Sequence, residues 1–139
     1  MKNLINSLLH VLLVDDDAVS TFLAKKRLQK NGFINIDTAE NGLAAATYVQ
    51  DERPDLLFLD LNMPVMDGLE FLKLAEQKNL CTDVPIVILT SSNREEDRTE
   101  GMLSSNVIDY VEKPLNDEKI ARVLAKMSVH FGLKKNSVA

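Results

Sequence analysis

Short unbroken apolar runs, each stopped by polar residues and separated from the next by helical periodicity, leave this chain few ways to fold. The clearest is Leu56-Leu57-Phe58-Leu59, which meets Asp60 and then the turn-rich Leu61-Asn62-Met63-Pro64-Val65-Met66-Asp67-Gly68. An apolar run without alternation, bounded by turn residues, is a strand covered on both faces. Val11-Leu12-Leu13-Val14 has the same form and is stopped by Asp15-Asp16-Asp17. So has Pro85-Ile86-Val87-Ile88-Leu89, stopped by Thr90-Ser91-Ser92-Asn93, and Val107-Ile108-Asp109-Tyr110-Val111, which precedes Lys113-Pro114. Phe33-Ile34-Asn35-Ile36-Asp37-Thr38 alternates instead and suits a strand nearer an edge.

The intervening stretches read as helices. From Ala18 to Lys30, Val19, Phe22, Leu23 and Leu28 are expected on the buried face, with Lys25, Lys26 and Lys30 on the wet one. Asp17 suits the N-cap of this helix and Gly32 its C-terminal stop. Further helices are expected at Leu43 to Gln50, Gly68 to Lys78, Arg94 to Ser104 and Asp117 to Phe131. Strand and helix alternate five times, which predicts an α/β fold with a central parallel sheet and right-handed crossovers.

At 139 residues the chain suits one domain, its core at about 9–131 with a short N-terminal extension and a C-terminal tail from Gly132 to Ala139. A formal charge of -5 argues against non-specific nucleic-acid binding, which needs a basic surface. Cys81 is the single cysteine, so no internal disulfide framework exists and a reducing compartment fits. No apolar run approaches the ~20 residues that span a bilayer, and the N-terminal segment lacks a small-residue cleavage site. A cytoplasmic location without membrane insertion is the expectation.

In a parallel sheet all carboxyl ends of the strands lie on one edge, the usual place for ligands. The strands would deliver Asp15 and Asp16, Asp60, Thr90 and Lys113 to that edge. Clustered carboxylates repel and call for a cation, and an all-oxygen donor set suits a hard divalent metal such as Mg2+. A carboxylate so placed can act as nucleophile towards phosphorus, with Thr90 and Lys113 as hydrogen-bond and charge partners of the phosphoryl oxygens. One other reading is open to the same residues. Asp15-Asp16-Asp17-Ala18-Val19 also fits the opening pattern of haloacid-dehalogenase-like phosphatases, with Asp15 as nucleophile and Asp17 as acid.

Four motifs together carry a resemblance: Asp15-Asp16; Leu59-Asp60-Leu61-Asn62-Met63-Pro64-Val65-Met66-Asp67-Gly68; Ile88-Leu89-Thr90-Ser91; and Asp109-Tyr110-Val111-Glu112-Lys113-Pro114. From about Leu9 to Phe131 the chain resembles the receiver domain of two-component response regulators, in the stand-alone, chemotaxis-regulator-like form. The resemblance implies a doubly wound, flavodoxin-like fold, with strand order 2-1-3-4-5 and five flanking helices. It implies that Asp60 accepts a phosphoryl group from a phosphohistidine on a sensor histidine kinase or histidine phosphotransfer protein. It also implies that Asp15, Asp16, Asp60 and the Asn62 backbone carbonyl serve Mg2+, Asp15 through water. Thr90 and Lys113 would contact the phosphoryl oxygens, Tyr110 would be the switch aromatic, and the bond before Pro114 would be cis. No turnover of a separate substrate is expected, and output would be a phosphorylation-dependent contact with another protein. Without phosphate, Thr90 and Tyr110 are expected to be held outward. One departure from the family pattern is Asn106-Val107 in place of Gly-Ala, where Asn106 is expected to take over a left-handed cap.

Overall fold

The computed structural model describes residues 4–138, with side chains through Val129. After a short 3-10 turn at Leu4–Leu8, the chain runs β1 His10–Val14, α1 Ala18–Lys30, β2 Asn35–Ala39, α2 Gly42–Asp51, β3 Leu56–Leu59 and α3 Gly68–Gln77. It continues as β4 Ile86–Thr90, α4 Glu95–Met102, β5 Val107–Glu112 and α5 Asp117–Val138. The five strands form one sheet in the order β2-β1-β3-β4-β5, and every neighbouring pair is parallel. The alternating edge strand and the continuous inner runs thus lie where their patterns place them.

Two apolar layers cover the sheet. On one face Val11, Leu13, Phe58, Val87 and Leu89 pack against Ala24 and Leu28 of α1 and Ile120, Val123 and Met127 of α5. On the other, Leu12, Leu57, Leu59 and Ile88 pack against Ala45 and Ala46 of α2 and Phe71 and Leu72 of α3. Burying a Leu, Ile, Val or Phe side chain stabilises by about 1.5–3 kcal/mol, so these layers dominate the folding energy.

Local signals set the helix ends. Asp17 caps α1 by accepting the Val19 N–H. At the other end the Gly32 N–H bonds Gln29 O and the Phe33 N–H bonds Leu28 O, with Gly32 at φ 94°. That pair of bonds is a Schellman motif, and buried Phe33 makes its usual apolar contact with Leu28. Asp67 and Glu70 form a capping box at the start of α3.

The buried face of α1 differs from the expectation. Val19, Phe22 and Leu23 are 66%, 58% and 56% exposed, while Ala24 and Leu28 are buried. At 3.6 residues per turn, Leu28 stands about 120–180° around the helix from the other three, so the four cannot share a face. Ala24 and Leu28 meet the sheet, and the larger apolar trio faces out. Helix α5 also runs past Phe131 to Val138 as helical backbone, through residues expected as a tail.

A register slip between β4 and β5 decides which way the last strand presents its polar residues. Ile86 pairs with Val107 but Val87 pairs with Asp109, so Ile108 is the extra residue of a bulge. Beyond it Asp109 and Val111 share the α5 face, while Tyr110 falls with Ile88 on the α3–α4 face.

Candidate functional site

Three residues at the carboxyl edge sit one step beyond their strands yet stay in the hydrogen-bond ladder. Asp15 N–H bonds Ala39 O at 3.0 Å, Asp60 N–H bonds Val14 O at 2.9 Å, and Lys113 N–H bonds Thr90 O at 2.9 Å. Backbone pairing therefore fixes where these side chains emerge. The Lys113 Nζ donates to Asp15 Oδ2 at 2.7 Å and to Asp60 Oδ2 at 3.0 Å. Both carboxylates are nearly buried, with side chains 9% and 8% exposed, so the shared ammonium neutralises charge that water reaches poorly.

Burial tends to raise the Asp15 carboxyl. The hydrogen bond from Lys113, the Asp17 N–H and the Ser20 hydroxyl outweigh it and hold that carboxyl below its ordinary value. Burial likewise tends to lower the Lys113 ammonium, but its bonds to Asp15 and Asp60 win and push it up. The contact is thus an ion pair at neutral pH.

Asp15, Asp16 and Asp60 each bring a carboxylate oxygen within 4.8 Å of the other two. Asp16 is the exposed member. Three hard oxygen donors at that spacing, one of them facing water, fit a small divalent cation that keeps part of its hydration shell. Asn62 follows two residues after Asp60, and its backbone N–H donates to Asp60 Oδ1 at 3.3 Å. The turn that carries both is pinned from below. A Cβ on Gly68 would stand 2.4 Å from the Asp60 carbonyl oxygen and 2.8 Å from Leu61 Cα, so only glycine lets the two segments approach. Val65, in the same turn, has φ 69°, a strained value for a β-branched residue.

Thr90 is fully buried at the end of β4, and its hydroxyl accepts the Ser92 N–H at 3.3 Å. Tyr110 is turned inward, contrary to the expectation that it is held outward. It is 6% exposed, and its hydroxyl donates to the Ser92 carbonyl at 3.1 Å. Burial pushes its phenol up. The peptide bond between Lys113 and Pro114 is cis. Asn106 does not take the left-handed conformation expected of it. Its side-chain amide instead donates to the Cys81 carbonyl, and the positive φ values fall on Asn79, Cys81 and Asp83 in the loop it braces.

One feature near the site is missing from the sequence-based expectations. Asp109 is buried under α5, where it accepts from Arg122 Nε at 2.8 Å and Lys126 Nζ at 2.9 Å. Arg122 and Lys126 stand four residues apart on one helix face, and an aspartate inside an apolar strand needs such partners. That combination is readable in the sequence.

The profile of the response regulator receiver domain matches residues 11–125. The chain is 36% identical over 118 residues to the phosphate regulon transcriptional regulatory protein PhoB of Klebsiella pneumoniae, covering 84% of this chain and 51% of that one. It is 33% identical over 127 residues to the virulence transcriptional regulatory protein PhoP of Salmonella typhimurium, covering 91% and 55%. It therefore spans about half the length of these relatives. Among solved structures it resembles the chemotaxis response regulator CheY4 of Vibrio cholerae with TM-score 0.73 and 31% identity, covering 86% of this chain and 98% of that one. A two-component response regulator from Cytophaga hutchinsonii gives TM-score 0.78 at 26% identity, covering 85% and 95%.

Proposed function

This chain belongs to the response regulator receiver domain family, and from that premise we propose that Asp60 is its phosphoacceptor. The observation that carries the assignment is the ion-paired edge: Asp60 shares Lys113 with Asp15, and the three carboxylates converge within 4.8 Å. An Asp60 carboxylate oxygen attacks the phosphorus of a phosphohistidine. A P–O bond forms, the P–N bond breaks, and its electron pair returns to the imidazole nitrogen, which takes up a proton. Lys113 moves from the free carboxylate to an oxygen of the transferred group, and the Thr90 hydroxyl meets another. Asp15, Asp16, Asp60 and the Asn62 carbonyl are the residues that would hold Mg2+, which supplies neutralising charge to the phosphoryl oxygens when bound.

The phosphatase reading finds no support here, because Asp17 accepts the Val19 N–H as the cap of α1 and the matched family is that of receiver domains. We read the chain as a phosphoacceptor that turns over no separate substrate. The donor is a sensor histidine kinase or a histidine phosphotransfer protein, acting in the cytoplasm. Its docking surface is the apolar rim beside Asp60, where exposed Val19 and Leu23 line a groove of about 290 Å3 with Leu89, Pro114 and Leu115. An interface core of this kind is apolar with a polar rim. Output runs through a protein contact on the α4–β5 face. Incubation with a phosphohistidine-bearing donor tests the whole reading. An alkali-labile acyl phosphate on the wild type, and none on Asp60→Asn, is the expected result; equal labelling of both rejects it.

A further inference from the structure

Two contacts supplied by the chain itself hold the Tyr110 ring inward. The Tyr110 hydroxyl donates to the Ser92 carbonyl at 3.1 Å. The loop carrying that carbonyl is fixed by the Ser92 hydroxyl, which donates to Asp97 Oδ2 at 2.7 Å and accepts the Arg94 N–H at 3.3 Å. Above the ring lies the Arg98 guanidinium, 5.6 Å from its centroid. A cation over an aromatic face is attracted by the ring quadrupole, and Arg is the commonest partner.

We propose that Arg98 is a positioning residue for the switch: it roofs Tyr110 and biases the ring inward before any phosphoryl group arrives. The proposal rests on the receiver reading of the site but concerns a residue outside the acceptor constellation. Arg98 is exposed on α4, so it can leave the ring at little cost to the core. The ring itself cannot leave without giving up the Ser92 bond and its burial. Phosphorylation then consolidates a state that the chain already populates, and a partner that reads the α4–β5 face meets a largely formed surface in the unphosphorylated protein. An exposed cation–π contact shifts such a balance by about two- to fivefold.

The test labels the full chain with 3-fluorotyrosine and reads the 19F resonance of Tyr110, assigned by its persistence in Tyr48→Phe, since the chain has two tyrosines. An inward ring gives a small solvent isotope shift between H2O and D2O, and an outward ring a large one. The wild type without phosphodonor is expected to show the inward signature. Arg98→Ala should lower the inward-to-outward ratio by about two- to fivefold, Arg98→Lys should restore most of it, and beryllofluoride with Mg2+ should return Arg98→Ala inward. A solvent-exposed wild-type ring overturns the proposal. So does an Arg98→Ala resonance that matches wild type, or a lysine variant no better than alanine. Intact mass after a small phosphodonor, taken on the same samples, reports Asp60 separately. Labelling of Asp60 with no effect of Arg98→Ala on Tyr110 defeats only the Arg98 role, and an Arg98→Ala effect on Tyr110 without labelling defeats only the phosphoacceptor reading.

Discussion

Replacing Lys113 with methionine keeps the length of the side chain and removes the cation that Asp15 and Asp60 share. Two carboxylates then face each other with oxygens no more than 4.8 Å apart. At an effective dielectric of about 20, unit charges at that separation repel by about 3.5 kcal/mol. The folded state of the variant carries that repulsion, because the neutral methionine cannot offset it. Exposed Asp16 adds less, because water and salt screen it. Lys113→Met is therefore expected to lose about 2–4 kcal/mol of stability in chelator, read from urea denaturation. A divalent cation can take over the role of the ammonium in the electrostatic balance, so millimolar Mg2+ should close most of that gap. The variant should also bind Mg2+ more tightly than wild type, since Lys113 no longer competes. A variant as stable as wild type in chelator, or a gap that ignores Mg2+, would refute the claim that Lys113 neutralises this edge.

Asp109→Asn should cost about 1.5–3 kcal/mol at pH 7, because two charge-assisted hydrogen bonds go while Arg122 and Lys126 turn to water. Burial opposes ionisation of Asp109, but Lys126 and Arg122 hold its carboxyl below its ordinary value. Its contribution is therefore present above about pH 4 and fades as pH falls through the folded value. Denaturation curves for wild type and Asp109→Asn should thus converge in acid, and a gap that stays constant down to about pH 3 would count against the assignment. Gly68→Ala drives a methyl into the Asp60 carbonyl and should cost about 1–3 kcal/mol while slowing phosphorylation by a small phosphodonor. An unimpaired labelling rate would show that the turn tolerates the shift. Phe22→Ser, on the exposed flank of α1, should change stability by no more than about 0.5 kcal/mol. It should slow transfer from a protein donor but leave labelling by a small phosphodonor intact, and equal effects on both would remove α1 from the docking surface.

Much of the fold is legible because inner parallel strands announce themselves. Val11 to Val14, Leu56 to Leu59 and Ile86 to Leu89 are apolar without alternation, and each polar residue that stops one marks the edge where the site forms. What stays hidden lies where three-dimensional packing overrules sequence spacing. On α1 the larger apolar side chains invite assignment to the core, yet the helix touches the sheet through small Ala24 and its neighbour Leu28 one turn on. The bulge at Ile108 shifts Asp109 to the α5 face and Tyr110 to the α4 face, and a strand read by alternation alone does not reveal it. Asn106 invites reading as a glycine substitute, but its amide reaches the Cys81 carbonyl and the left-handed residues fall elsewhere. The inward set of Tyr110 depends on Arg98 and Ser92, twelve and eighteen residues away in sequence, so no local pattern can show it.

The most direct measurement of the central claim is peptide mapping by mass spectrometry after the chain meets a small phosphodonor, with Mg2+ and with chelator. One phosphoryl group on the peptide that contains Asp60, with Mg2+ only and absent from Asp60→Asn, is the predicted result. A phosphoryl group on Asp15, or labelling of Asp60→Asn at the wild-type rate, would contradict it.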